Sequence, residues 1–117
     1  MWIMIAGPYR TGSDDPEVWR KNLREMNSAA LEVARRGHTP VIGVNMALPV
    51  IEIAGEENYE ELMMPISLAL AERCDAVLRI GGTSEGADKE VATFRSRDLP
   101  VFTSIEQLPH LSSLQES

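Results

Sequence analysis

The chain has 117 residues, 44% of them apolar, with 18 acidic against 11 basic side chains and a net charge of -7. That length makes one domain, which buries roughly two-thirds of its unfolded surface without disulfides or metals. The acidic balance excludes a general nucleic-acid binder, whose affinity rests on a basic footprint, and no apolar run approaches the roughly 20 residues of a membrane span.

The first strand is expected at Trp2 to Ala6, a continuous apolar run stopped by Gly7-Pro8. Such runs suit a strand buried on both faces. The same run is short and lacks a basic leader, so it does not read as a signal peptide. Gly7 to Asp15 is a loop. Asp14 or Asp15 caps a helix with Pro16 at its first position and Glu17 favouring the dipole. The helix runs to about Arg36, with Trp19, Leu23, Met26, Ala30, Val33 and Ala34 on one face and Gly37 just past its end. His38 to Val44 reads as the second strand.

Asn45 to Asn58 contains Pro49 and Gly55, so no uninterrupted helix is expected there. A helix is expected from Tyr59 to Arg73, kinked at Pro65 or starting there. Asp75 to Ile80 is the third strand, Ser84 to Arg97 the next helix with Val91 and Phe94 as anchors, and Leu99 to Thr103 the fourth strand. Ser104 caps a short terminal helix, and residues 112–117 read as a disordered tail after one domain over 1–111. The lone cysteine, Cys74, reads as a small buried hydrophobe in a reducing, cytoplasmic setting.

This alternation predicts an α/β fold: a three-layer, Rossmann-like (flavodoxin-like) parallel sheet of four to five strands with helices on both faces. Ligands of such sheets bind beyond the carboxyl ends of the strands, at the switch point. The loops after the first and third strands are therefore expected to line one crevice. The first carries Gly7, Pro8, Tyr9 and Arg10; the second carries Gly81, Gly82, Thr83, Ser84 and Gly86.

Between Cys74 and Glu90 an apolar strand enters a glycine-bearing turn that opens a helix. A helix start aims free N–H groups outward and favours an anion. Ser84 and Gly86 read either as a plain cap and a permissive glycine or as a phosphate turn. Glu90, in the second turn, is ordinarily a solvated face residue; its alternative is a nucleophile toward an anomeric carbon. Arg10 either clamps a phosphate or pairs with Asp14 or Asp15. Tyr9 either stacks on a base or covers the core edge. Met46, Met63 and Met64 either line an apolar base pocket or fill the core. His38 reads as a histidine at a helix C-terminus. Two histidines and one cysteine give no metal spacing.

Ile5-Ala6-Gly7-Pro8-Tyr9-Arg10 after the first strand, with Ser84-x-Gly86-x-x-x-Glu90 after the third, resembles the nucleoside 2-deoxyribosyltransferase superfamily, which includes the 2′-deoxynucleoside 5′-phosphate N-hydrolases. The likeness spans Trp2 to Phe102 and is nearest to a branch of short bacterial and phage proteins with a Cys-Asp before the third strand. It implies Glu90 as nucleophile at C1′ of a deoxyribose. It implies that Ser84 and the Gly7–Arg10 loop hold a 5′-phosphate or 5′-hydroxyl. It implies a small-molecule nucleoside or nucleotide, no cofactor, and a homodimer or larger oligomer that completes the site.

Two positions depart from the pattern. Pro8 stands where the hydrolases carry a serine, and Ser67 stands where characterised members carry an aspartate that helps protonate the leaving group. Asn45, Ser67 and Asp88 are the auxiliary candidates, although Asp88 lies roughly 200° around the helix from Glu90. The expected activity is N-glycosidic hydrolysis or deoxyribosyl transfer on a nucleoside or its 5′-monophosphate. The alternative is a non-catalytic nucleotide-binding or sensor module. A receiver-like signalling domain needs acidic residues after the first and third strands, where Gly7-Pro8 and Gly81-Gly82 stand instead.

Overall fold

A computed structural model describes residues 1–110; the expected tail at 112–117 lies outside them. Four strands, β1 (Trp2–Ala6), β2 (Thr39–Val41), β3 (Ala76–Arg79) and β4 (Val101–Phe102), pair in the order β2-β1-β3-β4, all parallel. The chain steps from β1 to one side, then returns to add β3 on the other, which puts the switch point between β1 and β3. Their pairing continues to the strand ends, where Ile80 N donates to Ala6 O at 2.9 Å. Both following loops therefore leave the sheet side by side. The expected fold class is observed.

Alternation along β1 builds two cores, because successive strand residues face opposite sides. Ile3 and Ile5 pack with Met26 and Val33 of α1 (Pro16–Arg35). Met4 and Ala6 pack with Ala71 of α3 (Tyr59–Ala71) and with Ala87, Val91 and Phe94 of α4 (Glu85–Ser96). Asp15 caps α1 by accepting from Glu17 N at 2.9 Å, with Pro16 in its first turn. Ala34 lies off the buried stripe and is exposed. Cys74 is buried just before β3 as a free thiol, and burial pushes its pKa up to about 11.

As expected, Asn45 to Asn58 is not one uninterrupted helix, but the break falls at Gly55 and not at Pro49. Residues Gly43–Ala54 form α2 straight through Pro49, and a 3-10 turn at Glu56–Asn58 leads into α3, which starts at Tyr59 and contains Pro65. A proline inside a helix removes one hydrogen bond and costs about 3 kcal/mol. Burial offsets that cost: Ala47 and Ile51 pack on Met63, with Val44, Leu48, Leu62 and Ile66 around them. Gly55 lies past the end of α2 at φ 107, where it terminates the helix rather than interrupting it.

The second strand is shorter than expected because three residues suffice to pair with β1, and Gly43 already belongs to α2. The terminal helix is a 3-10 turn, Ile105–Gln107, without a side-chain cap from Ser104. His38 follows the end of α1 as expected, and its backbone N–H donates to Val33 O at 3.2 Å, but its ring is engaged away from the helix. It is buried, with Nδ1 3.0 Å from the Met1 amine and Nε2 2.7 Å from Pro109 O. Among the described residues, no helix is long and apolar enough to cross a membrane.

Candidate active site

The β1–α1 loop and the β3–α4 loop touch. Gly81 adopts φ 74, and a Cβ there would sit 2.8 Å from Pro8 Cδ. A side chain at Gly81 would be strained and would also push the loops apart. Pro8 thus acts by packing against the second loop. Beside this contact lies a cavity of about 320 Å³ at the carboxyl ends of β1 and β3. That volume is at the small end of ligand sites, roughly 300 Å³ upward.

Gly7, Tyr9, Arg10, Ser84, Gly86 and Glu90 all line this cavity, so both sequence-predicted loops and the candidate nucleophile come together in it. Ser67 lines it as well. Ser84 caps α4: its Oγ accepts from Ala87 N at 3.2 Å and from Thr11 Oγ1 at 3.3 Å. Met63 and Met64 supply apolar wall, while Met46 is exposed on the far side of α2 and does not line the cavity.

Glu90 belongs to the buried stripe Ala87, Glu90, Val91 and Phe94 and is 8% exposed. It is not a solvated face residue. Ser67 Oγ, also buried, donates to Glu90 Oε2. The two meet because α2 and α3 cross closely at Gly43, where a Cβ would overlap Ser67 Oγ and lie 2.7 Å from Ser67 Cβ. Glycine at 43 is what lets Ser67 reach the carboxylate. Burial raises the Glu90 pKa to about 7, against the hydrogen bond from Ser67 and the positive charge of Arg79, which both pull it down. Near neutral pH this side chain is therefore divided between acid and carboxylate.

Arg10 pairs with neither Asp14 nor Asp15. Nη1 donates to Glu56 on the 3-10 turn, and Cζ lies 4.1 Å from the Trp19 ring centroid and 3.8 Å from that of Tyr59. Cation–π contact of this kind is worth roughly 0.5–2 kcal/mol. Burial works to lower the Arg10 pKa, but the Glu56 hydrogen bond and the neighbouring charges raise it; Glu56 itself is held below the usual carboxylate range by the bond from Arg10. Tyr59, pushed up to about 12 chiefly by burial, stays protonated. Tyr9 packs at the core edge beside Trp19, ring centroids 6.3 Å apart, while one side borders the cavity.

Two auxiliary candidates fall elsewhere. Asn45 donates to Asn27 Oδ1 at 2.7 Å on the exposed side of α2, a bridge to α1 rather than a cavity contact. Asp88 points to the opposite side of the β3–α4 loop, where it meets Arg79 Nη2 at 3.4 Å. Helical geometry dictates that separation, since two residues turn a helix by roughly 200°.

Sequence reasoning missed Thr11, Tyr59, Glu60, Glu85 and Lys89, which also line the cavity, and the packing role of Gly43. A usable signal existed for Gly43, a glycine near the end of the expected second strand; none existed for Tyr59 and Glu60, which arrive from a helix start across the crevice. Among the described residues, no group of three or more His, Cys, Asp or Glu is placed to hold a metal ion.

Fold and site together define a small Rossmann-like α/β domain with a buried carboxylate in the switch-point crevice. No protein-family model matches the chain, and no curated protein matches it in sequence.

Proposed function

We propose that the protein cleaves or transfers the N-glycosidic bond of a nucleoside or deoxynucleoside, free or as its 5′-monophosphate, with Glu90 as nucleophile. The observation that carries this reading is the placement of Glu90: buried, hydrogen-bonded by Ser67, and lining a cavity at the switch point. A carboxylate there can attack C1′ while the C1′–N bond breaks and the base leaves with the electron pair. Water, or a second base, then adds at C1′ as the bond to the Glu90 carboxylate breaks, and the proton that the acceptor loses passes to the departed base. The pKa of about 7 leaves the reactive ionised form populated at neutral pH while desolvation keeps it reactive.

A second reading is a nucleotide-binding or sensor module of the same fold. Ser67 favours it, because a hydroxyl stands where the resemblance leads one to expect an acid, and it is engaged by Glu90. Glu60 and Glu85, the other carboxyls lining the cavity among the described residues, are both exposed. The homodimer implied by the resemblance belongs to the proposal. Its support is the exposed apolar stripe Met46, Val50 and Ile53 on α2, of which Ile53 is 91% exposed.

The test is to incubate the purified protein with deoxynucleosides, nucleosides and their monophosphates and to follow free base by chromatography. Free base with the wild type, and a loss on the order of 10⁴-fold in Glu90→Ala, is the expected result. No free base from any substrate, or equal release by Glu90→Ala, refutes catalysis by Glu90. Stabilisation by a nucleotide without turnover supports the second reading.

A further inference from the structure

The surroundings of Arg10 bear on which end groups the cavity accepts. A guanidinium holds a phosphate through paired N–H donors along one edge of its plane. It has two such edges, Nη1 with Nη2 and Nη2 with Nε. In Arg10 the first is engaged, because Nη1 donates to Glu56 Oε1. The second is closed, because Nε is buried, with no hydrogen-bond partner among the described residues. The faces of the plane lie against Trp19 and Tyr59. Arg10 is thus a fixed wall of the cavity and not a free anion clamp.

The other charges agree. Lys89 is the only further cation among the described lining residues, and it is exposed; Glu60, Glu85 and Glu90 are the lining carboxyls. Arg79, the remaining nearby cation, is turned to the far side of the β3–α4 loop, on Ile80 O, Gly82 O and Asp88. Pro8 has no N–H to offer. The start of α4 presents an N-terminal turn, but Glu85 places a carboxylate in that first turn and lines the cavity. These groups suit a neutral oxygen and oppose a doubly charged one.

We infer that the cavity takes an uncharged nucleoside with a free 5′-hydroxyl and rejects its 5′-monophosphate, and that Glu56 sets this choice by holding Arg10. The inference rests on the nucleoside reading of the site proposed above. It makes Glu56, on the turn between α2 and α3, a specificity-determining residue for a cavity whose floor is built by α3 and α4.

The experiment is calorimetric titration of wild type and Glu56→Gln with a deoxynucleoside and with its 5′-monophosphate, with free base assayed in the same samples. In the wild type the nucleoside binds at least about tenfold more tightly than the monophosphate. In Glu56→Gln that gap narrows by roughly threefold, the scale of one exposed ion pair. Equal or tighter binding of the monophosphate by the wild type overturns the inference. An unchanged gap in Glu56→Gln overturns the role of Glu56. Nucleoside-selective binding without free base supports the inference while refuting the glycosidase reading. Binding of neither compound at millimolar concentration overturns both.

Discussion

The β3–α4 loop separates two carboxylates that sit two positions apart on one helix, Asp88 and Glu90, and their surroundings are opposite. Asp88 is 69% exposed and pairs with Arg79, whose guanidinium also holds the loop carbonyls of Ile80 and Gly82. Glu90 is buried, faces the cavity, and has a neutral hydroxyl as its hydrogen-bond partner. An exposed ion pair contributes about 0–1 kcal/mol. Burial without a contacting cation changes the chemistry itself. On this helix, the side of the loop that a carboxylate faces decides whether it is solvated or buried.

The contrast is broken most severely by neutralising Glu90. Its folded-state pKa, about 7, lies above the ordinary value of 4.5, so folding favours the protonated form. The contribution of this group to stability is therefore fully present below the unfolded pKa and is lost as pH rises through about 7. Above that pH the ionised side chain destabilises the fold by about 3 kcal/mol relative to a neutral one. Glu90→Gln removes the penalty, so its stability relative to wild type rises between pH 5 and pH 9. Denaturant unfolding at the two pH values reads this; a difference independent of pH contradicts it.

A smaller effect is expected from Ser67→Ala. Removing the hydrogen bond takes away one of the two influences that lower the Glu90 pKa, so the acid limb of any activity profile moves to higher pH. The rate at pH 7 falls by roughly threefold to tenfold and recovers at pH 9, since a shift of one unit is a tenfold change in the ionised fraction. Loss of activity with no recovery at high pH would mean that Ser67 acts in some other way. Asp88→Ala has the smallest effect: stability stays within about 0.5 kcal/mol and the activity profile keeps its midpoint. A shift as large as that of Ser67→Ala would erase the distinction between the two sides of the loop.

Much of this arrangement is legible in the sequence. The apolar run of β1, the Asp15-Pro16 start of α1 and the strand–turn–helix around Ser84 are each fixed by local chemistry, and the crevice follows from the order of elements alone. Pro49 misleads because a local breaker competes with tertiary burial, and the packing of α2 on α3 wins. Glu90 is the instructive case. Ala87, Val91 and Phe94 mark a buried stripe at helical spacing, and Glu90 lies within it. That placement is readable once Ala87 is counted with the two larger anchors. The pairing of Arg10 with Glu56 is not readable, since no local pattern brings the turn after α2 across the crevice.

If the buried Glu90, with its pKa raised to about 7, is the reactive group of this cavity, the rate follows its ionisation. The direct measurement is the rate of base release from a deoxynucleoside between pH 5 and pH 9, for wild type and Glu90→Gln. The wild-type rate is expected to climb with pH about a midpoint near 7 as Glu90 ionises, with no rate above background for Glu90→Gln at any pH. A Glu90→Gln protein that releases base with the wild-type profile would contradict that role for Glu90.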